Sequence, residues 1–339
     1  MRGLGDRART GIAALIACLA LAVASGSSAD AEAIKIGVLP TVAVGPLYLA
    51  IDRHYFAEEG IEAEIVPFDA GQPVAVAVVA GAVDFGVAGF TGGLFSLAGQ
   101  GALRIIASRD REAPGFHSQA IVASRQAFAA GLTSLDALPG HSFALAQIGS
   151  PPHYGIGLIA EKHGFDLKTM RLIPMQTVTN QMSALVGGQV DAAMLPSTLA
   201  FPSFERGEAK LLGWIGDEAS WQVGALFTAT RTADERQDLV RRFLRAVAKG
   251  RHDYVEAFIG PDGKPKDGPT TAAVLAVVAR SLGQPVEKIK LGVSYIDPQG
   301  RVDVKDVLHQ IAWYKAQGML KPDINGADFI DMRYVIALP

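Results

Sequence analysis

Two stretches of the chain, Ala77–Val87 (AVVAGAVDFGV) and Ala184–Met194 (ALVGGQVDAAM), share Ala, Val, Gly, Val and Asp at matching places and lie 107 residues apart. At the same offset the apolar run Ile36–Leu39 falls on Phe143–Ala146. An internal repeat in register predicts two similar structural units. Two such units form two lobes with a cleft between them, and clefts are where small molecules bind.

Strand and helix signals alternate around both copies of the repeat. Ile34–Leu39 predicts a first buried strand, and Pro46 suits the first turn of the helix that follows. In the second half, Ser142–Ala146 predicts the matching strand and Ser150–Pro152 the matching helix start. The alternation predicts an α/β fold, in which each lobe is a mainly parallel sheet with helices on both faces.

The domain boundaries follow from where this alternation is interrupted. We expect lobe 1 to begin with residues 34–120, lobe 2 to span 121–224, and residues 225–339 to return to lobe 1 and end in helices. The extended runs Gln119–Ala123 and Val223–Ala229 lie at the two crossings. They are predicted to lie side by side as a hinge.

The first 33 residues are predicted to be a cleavable signal peptide. Three arginines precede an apolar run from Ile12 to Ala24, and small residues follow it. This order is typical of secretory signals and predicts a periplasmic protein. Cys18, the single cysteine of the sequence, lies within the apolar run. Because the run continues past it, the pattern favours an apolar residue of a removed peptide over a lipid-anchored cysteine.

Composition and motifs exclude several functions. The 339 residues carry a net charge of −3, which argues against nucleic-acid binding. The sequence has no Gly-x-Ser-x-Gly, His-Glu-x-x-His or phosphate-loop motif, and its histidines lack metal-ligand spacing. Gly155–Ala160 matches the dinucleotide fingerprint but falls inside a helix, which favours close packing. We therefore expect a binding protein without metal or cofactor, and not an enzyme.

Four helix starts at predicted strand ends carry the candidate binding site: Thr41–Gly45, Gly89–Thr91, Ser150–Tyr154 and Leu195–Thr198. Helix N-termini have free N–H groups and a partial positive charge, so they bind anions. Two starts come from each lobe and can face each other across the cleft. The candidate contacts within them are Thr41, Gly89, Phe90, Thr91, Ser150, His153, Tyr154, Pro196 and Ser197. Plain helix capping is the alternative interpretation of each start.

Aromatic and charged residues near these starts extend the candidate site. Tyr48, Phe90, Tyr154 and Trp214 are aromatic candidates, of which Phe90 and Trp214 are predicted to be pocket walls; core packing is the alternative. Arg109 follows the fourth predicted strand and would meet an anionic ligand, or would be a solvated loop arginine.

The chain resembles the periplasmic solute-binding proteins of ABC importers, in the branch that binds sulfonates, taurine, nitrate and thiamine-pyrimidine precursors. The resemblance covers most of Ile34 to Phe258. It rests on the order and spacing of Gly45–Ala50, Tyr55–Phe56, Glu59–Ile61, Gly81–Val87, Ser134–Gly140, Gly149–His153 and Gly188–Ala192.

This resemblance implies a type II periplasmic-binding-protein fold with two crossing hinge strands and a ligand enclosed by hinge closure. It also implies a monomer that delivers its ligand to an ABC permease with a cytoplasmic ATPase. By this resemblance, the loops with the candidate ligand contacts are those that carry Thr41, Gly89–Thr91, Ser150, His153 and Pro196–Ser197. The apolar loop Pro40–Val44 favours an organic ligand with one anionic end, such as a sulfonate or carboxylate, over a small inorganic anion; a heterocycle is also open.

Two other functions fit the same fold. A ligand-binding sensor would report occupancy to a membrane receptor, and the sequence does not separate it from an importer component. A yeast-type pyrimidine-precursor synthase would need a cysteine-rich motif and would lack an export signal, and this chain departs from it on both counts.

Overall fold

The computed structural model describes residues 31–339; the predicted signal peptide up to residue 30, including Cys18, lies outside this part of the chain. Its strands are β1 Glu32–Val38, β2 Ile61–Pro67, β3 Phe85–Gly89, β4 Leu103–Ser108, β5 Arg111–Glu112, β6 Gln119–Ser124, β7 Ser142–Leu145, β8 Arg171–Pro174, β9 Ala192–Pro196, β10 Ala209–Trp214, β11 Trp221–Gln222 and β12 Gly224–Ala229.

The α-helices of the same region are α1 Gly45–Asp52, α2 Tyr55–Glu58, α3 Gly71–Val79, α4 Gly92–Gly99, α5 Arg125–Ala129, α6 Pro151–His163, α7 Val178–Val186, α8 Ser197–Glu205, α9 Ile215–Glu218, α10 Thr230–Glu235, α11 Gln237–Phe258, α12 Thr271–Leu282, α13 Val286–Leu291 and α14 Val304–Ala316. Short 3₁₀ turns span Val42–Val44, Leu135–Ala137, Leu167–Thr169 and Gly326–Asp328.

The two five-stranded sheets have the same strand order. The first runs β2-β1-β3-β12-β4, and the second, taken from its other edge, runs β8-β7-β9-β6-β10. In each sheet the fourth strand is antiparallel to both of its neighbours, while the central strands are parallel. The sequence repeat is therefore a structural repeat, and the predicted two-lobed α/β fold is confirmed.

Helices cover both faces of each sheet, as predicted. On one face of the first sheet, α1 and α11 bury a core that includes Leu47 and Phe243; on the other, α3, α4 and α14 bury one that includes Phe95. In the second sheet, α6 packs on one face through Ile156, and α7 packs on the other through Leu185. Alternate strand residues supply both cores because successive side chains point to opposite faces.

The repeated Asp accepts the same kind of hydrogen bond from a strand's backbone N–H in both lobes. Asp84 Oδ2 accepts a hydrogen bond from the amide of Lys35 at 2.9 Å, and Asp191 Oδ2 accepts one from the amide of Ser142 at 2.8 Å. The first bond is made within β1 and the second at the first residue of β7, and both lie on the side of the sheet opposite the strand C-ends. The repeated Asp therefore serves the scaffold of both lobes.

The crossing between the lobes differs from the prediction. Gln119–Ala123 and Val223–Ala229 do not lie side by side, because β6 fills the antiparallel position of the second sheet and β12 that of the first. There each run satisfies its backbone hydrogen bonds on both sides. The paired crossing strands are the two-residue strands β5 and β11, which are antiparallel. The boundaries at residues 120/121 and 224/225 stay a prediction.

The C-terminal third is mainly helical and contacts both lobes. The helices predicted from the apolar spacing of Leu239–Val255 and Val304–Ala316 are α11 and α14. Helix α11 packs along α1, α13 contacts α8, and α14 contacts α4, α6 and β11. Among the described residues, no helix combines the length and apolar character needed to span a membrane.

Asp191→Ala should lower the free energy of unfolding by about 1–3 kcal/mol, because it leaves the buried start of β7 without its acceptor. Although burial acts to raise the pKa of Asp191, hydrogen bonds from Ser142 and the proximity of His141 hold that pKa below its ordinary value. The stabilisation is therefore present at neutral pH and is lost as the pH falls through the lowered pKa. Urea unfolding at neutral and acidic pH measures it. The exposed Asp323→Ala is the control, and an equal effect from both variants would contradict the assignment.

Glu112 should make the native protein less stable as the pH rises, which is opposite to the effect of Asp191. Glu112→Gln should remove this pH dependence. Glu112 lies on β5, is 2% exposed, and accepts hydrogen bonds from Ser118 Oγ at 2.8 and 2.9 Å. Burial raises its pKa to about 8. As the pH rises, the unfolded chain loses this proton first, so the native protein should lose about 1.4 kcal/mol per pH unit relative to the variant between about pH 5 and 8. The exposed Glu62→Gln should show no such slope; parallel profiles for wild type and Glu112→Gln would refute the prediction.

Candidate functional site

The two lobes touch where the C-ends of β3 and β7 meet. The amide of Gly92 donates to the carbonyl of Gly149 at 2.9 Å. A Cβ on Gly89 would lie 2.6 Å from Pro151 Cγ, so only glycine permits this approach. The predicted residues Gly89 and Ser150 are thus brought together at the lobe contact.

Thr91 and Phe90 use their side chains within the first lobe. Thr91 Oγ1 accepts from the amide of Leu94 at 2.9 Å, capping α4, and donates to Gln72 Oε1 at 2.8 Å. Phe90 is fully buried and stacks on Phe95 with ring centroids 5.0 Å apart. Thr91 therefore serves as a helix cap, and Phe90 serves as a core side chain. Sequence reasoning missed Gln72, which starts α3 without any distinctive pattern.

Ser150 and His153 build the loop of the second lobe that faces this contact. Ser150 Oγ donates to the carbonyl of Gln147 at 2.6 Å, and His153 Nδ1 accepts from the amide of Gly149 at 3.0 Å. Because Nδ1 is an acceptor, Nε2 carries the imidazole proton. Burial lowers the pKa of His153 to about 4, so the ring is neutral at pH 7 and adds no charge for an anion.

Tyr154 lies on the helix interface rather than in the cleft. Its hydroxyl is within hydrogen-bond distance of Asp306 Oδ1 at 2.9 Å and His309 Nδ1 at 2.7 Å, both on α14. Burial and the nearby Asp306 carboxylate raise the pKa of Tyr154. One turn along, a Cβ on Gly157 would lie 2.5 Å from the Trp313 ring, so the glycines of the fingerprint-like run serve close packing.

Ser197 is buried and is bound by the C-terminal segment. Its Oγ donates to the carbonyl of Leu291 at 2.6 Å. A Cβ on Gly292 would lie 2.9 Å from Thr198 Cγ2 and 3.0 Å from Val42 Cγ2. This segment therefore touches the β1–α1 loop of the first lobe and the start of α8 in the second, which follows the half-buried Pro196.

Trp214 belongs to a half-buried aromatic group at the same edge of the second sheet. It stacks on His117 with ring centroids 4.6 Å apart and lies 5.1 Å from Phe201. Strand pairing aligns it with Ala120 and, through β6, with Leu195 at the end of β9. Trp214 is the predicted aromatic wall that keeps exposed surface at the strand ends.

The β1–α1 loop contributes one buried hydroxyl and one buried ring. Thr41 Oγ1 is buried and makes no hydrogen bond with the described residues. Tyr48 is 5% exposed within the first-lobe core, and burial raises its pKa to about 12. An acceptor or donor at the cleft would satisfy Thr41, whereas Tyr48 remains a neutral core side chain.

Arg109 is a buried charged residue that directly follows the C-end of β4. Its side chain is 7% exposed, and Nε donates to Asp110 Oδ1 at 2.5 Å. Within residues 31–339, Nη1 finds no hydrogen-bond partner. Arg109 is one of the residues that line a cavity of about 20 Å³, together with Ser108 and Arg251. A buried N–H without an acceptor is costly, so an acceptor placed at Nη1 would be stabilising.

Sequence reasoning missed Arg251, although a signal was present. Helix α11 buries Phe243 and Val247 on one stripe, and Arg251 is the next position of that stripe at four-residue spacing. Arg251 is half-buried, and its Nε donates to the carbonyl of Pro298 at 3.3 Å.

The crossing strand β11 is tied directly to the cavity. Gln222 is fully buried, and its Nε2 lies 2.8 Å from Ser108 Oγ and 2.9 Å from the carbonyl of Asp110. The backbone N–H of Gln222 donates to Asp306 Oδ2 at 2.8 Å, so α14 is held to the same strand. Movement of the crossing strands would therefore move the residues that hold Arg109. The described residues contain no cluster of three His, Cys, Asp or Glu side chains arranged to hold a metal ion.

Comparisons with known proteins identify relatives of this arrangement. The sequence model described as NMT1/THI5 like matches residues 42–257, while curated proteins give no significant sequence match. The alkanesulfonate-binding protein SsuA from Xanthomonas axonopodis pv. citri, bound to MOPS, is 19% identical, with a TM-score of 0.70 over 90% of this chain and 99% of that one.

Two further solved structures have similar folds. The periplasmic nitrate-binding protein NrtA from Synechocystis PCC 6803 is 12% identical, with a TM-score of 0.68 over 86% of this chain and 83% of that one. The C27S mutant of DszB in complex with biphenyl-2-sulfinic acid is 13% identical, with a TM-score of 0.60 over 90% and 97%. At these identities the likeness establishes the periplasmic-binding-protein fold.

His153→Gln should remove an acid sensitivity of the native state. Since the folded pKa of about 4 lies below the ordinary 6.5, the unfolded chain takes up the proton first as the pH falls. Wild type should lose about 2 kcal/mol relative to the variant between pH 7 and pH 5. Urea unfolding at both pH values measures this. The exposed His252→Gln should behave as wild type; equal pH slopes for all three proteins would show that His153 is not buried as a neutral ring.

Proposed function

The chain belongs to the NMT1/THI5-like family, and from this premise we propose that it is the extracytoplasmic solute-binding component of an ABC importer. Its ligand is a small organic anion held between the lobes. The observation that carries this proposal is Arg109, a buried guanidinium at the end of β4 with Nη1 unpartnered among the described residues and lining a cavity. Charge-assisted hydrogen bonds are among the strong ones, which suits Arg109 to anchor an oxyanion.

The related structures support an anionic ligand. They are an alkanesulfonate-binding protein bound to MOPS, a nitrate-binding protein and a DszB mutant in complex with biphenyl-2-sulfinic acid, and each of these ligands carries an oxyanion. In this chain the loop before α1 is apolar at Val42–Val44, and Trp214 offers a half-buried aromatic surface in the second lobe. An anionic head at Arg109 and an organic body toward Trp214 fit this distribution.

Binding requires the lobes to separate and close again. A cavity of about 20 Å³ has room for about one water molecule, so an organic anion does not enter the closed arrangement. Hydrogen bonds that hold the lobes together include Gly92 to Gly149, Tyr314 to Ser150 and Ser197 to Leu291. At about 1 kcal/mol each, they are modest beside the roughly 8 kcal/mol of micromolar binding. The short strands β5 and β11 are the hinge of this movement.

The remaining parts of the proposal concern place and partners. The signal-like N-terminus supports export to the periplasm with cleavage of the peptide, and the family supports delivery to an ABC permease with its ATPase. We propose that the protein works as a monomer without metal or cofactor and does not transform its ligand. Because the fold alone does not separate binding from turnover, product formation is measured directly alongside binding.

Arg109→Gln should weaken ligand binding about 10- to 100-fold, which corresponds to the loss of one charge-assisted hydrogen bond. A thermal-shift screen of the mature chain with alkyl and aryl sulfonates, carboxylates and pyrimidines identifies the ligand, and calorimetry gives the affinities. The exposed Arg171→Gln is the control and should bind as wild type.

Several outcomes would contradict the proposal. Silence of the folded wild-type protein across the whole panel would reject the anion-binding function, and release of a product would reject a pure binding role. If circular dichroism shows that Arg109→Gln is folded and it binds the ligand as tightly as wild type, Arg109 does not bind the oxyanion.

A further inference from the structure

Helix α6 is shared between the cores of the two lobes. Ile156 and Ile159 belong to the core of the second sheet. Tyr154 belongs to the core that α14 covers on the first sheet, and Leu158, one turn further along, packs against that core. Residues three or four positions apart share one face of a helix, so α6 presents one apolar stripe to each lobe. Its contact with α14 therefore lies between the two lobes.

This contact, the α6–α14 seam, is closely packed. Tyr154 and Tyr314 are fully buried. A Cβ on Gly157 would lie 2.5 Å from the Trp313 ring, so the two helices approach as closely as glycine allows. Separating them would expose several aromatic rings to water, which is costly because aromatic side chains dominate the energetics of cores. The seam consists of the residues that meet across the two helices: Tyr154, Gly157, Asp306, His309, Trp313 and Tyr314.

Buried polar contacts tie the seam to the crossing strand β11. The Tyr154 hydroxyl lies 2.9 Å from Asp306 Oδ1. The other oxygen of Asp306 accepts from the backbone N–H of Gln222 at 2.8 Å and from Gln310 Nε2 at 2.7 Å. Trp221, the other residue of β11, packs edge-on against Tyr154 with ring centroids 5.3 Å apart. The seam is therefore continuous with the place where the chain crosses between the lobes.

A second contact between the lobes lies on the opposite face of both sheets. Helix α8 covers the same face of the second sheet as α7, and α13 packs on the α1 face of the first. Ser197 Oγ, at the start of α8, donates to the carbonyl of Leu291, at the end of α13, at 2.6 Å. Thr198 Cγ2 would lie 2.9 Å from a Cβ on Gly292. We name these four residues the mouth contact. Because a methyl group and a glycine meet here instead of aromatic rings, its separation would expose less apolar surface.

We propose that the α6–α14 seam stays packed when the lobes separate, and that the cleft opens at the mouth contact. Helix α14 is then a third, non-covalent connection of the hinge beside β5 and β11. This inference rests on the lobe movement of the proposed function and adds its axis and the side from which a ligand enters. The lobes separate where separation costs least, and small sliding of packed helices such as α6 on α14 is a common part of domain closure.

The first test measures opening at the mouth contact through the reaction of a single buried thiol. Ser197→Cys and Ser203→Cys place a cysteine on the same helix, α8, at two serines that are both 0% exposed. Ser203 is the matched control, because its hydroxyl donates to the carbonyl of Ala200 within the helix. A Cys18→Ala background leaves one thiol in each variant, since Cys18 is the single cysteine of the sequence. A maleimide should label Ser197→Cys at least about tenfold faster than Ser203→Cys, because local opening is more frequent than unfolding of the lobe.

The second test weakens the seam and repeats the labelling of Ser197→Cys. Gly157→Ala brings a Cβ against the Trp313 ring, and Tyr154→Phe removes the hydroxyl that meets Asp306. Each should lower the urea concentration at the midpoint of unfolding. A seam that is packed in both the open and the closed form does not affect the balance between them. The labelling rate of Ser197→Cys should therefore stay within about twofold of its rate without the seam substitution.

The labelling rates separate this hinge from other movements. If a seam substitution speeds the labelling of Ser197→Cys more than about twofold while Ser203→Cys stays slower, the seam breaks on opening and the inference is overturned, whereas the lobe movement stands. Equal rates for Ser197→Cys and Ser203→Cys without a seam substitution would also overturn it, since the mouth contact would then stay closed. Binding of a panel anion by wild type, measured by calorimetry, would in that case preserve the proposed function with an opening elsewhere. If Gly157→Ala does not fold, Tyr154→Phe decides, because its ring still fills the seam.

Discussion

Backbone hydrogen bonding between non-neighbouring segments is the constraint on which the rest of the structure depends. The first sheet has its antiparallel strand, β12, only after the chain has passed through the second lobe, and the second sheet has β6 from the segment that leaves the first. Each lobe is thus completed by the crossing chain. The short strands β5 and β11 run between β4 and β6 and between β10 and β12, beside the strand end where Ser108 and Arg109 lie.

The crossing strands also fix the surroundings of the charged residue at the candidate site. The sequence pointed to helix N-termini as anion receptors, but Thr91 and Ser150 satisfy neighbouring backbone or side-chain groups. Charge at the strand ends comes instead from Arg109, whose surroundings are set by Gln222 on the crossing strand. A buried arginine gives stronger and more directional binding than a capped helix end. Burying this cation among apolar side chains costs free energy, and an anionic ligand would offset that cost.

Much of the fold follows from local patterns, whereas the site does not. The repeat around Asp84 and Asp191, the β-branched runs and the proline-marked helix starts identified the strands, helices and lobes, because these signals act within a few residues. Which run pairs with which was wrong at the crossings, since strand pairing is decided far along the chain. Tyr154 was placed near the cleft although it binds Asp306, a partner 152 residues away. Arg251 was missed because the other residues that line its cavity, Arg109 among them, lie far from it in the chain.

The strand order has a consequence for how the molecule is made. The second sheet is built from one continuous segment, Gln119 to Trp214, whereas the first needs β1 to β4 and then β12. During synthesis from the N-terminus, the strands of the second sheet are therefore all present before the first can close. The N-terminal segment waits with an open slot between β3 and β4 until Gly224–Ala229 arrives. Until then β3 and β4 have no partner for the backbone groups on their facing edges, so the first sheet cannot be completed before about two thirds of the chain has been made.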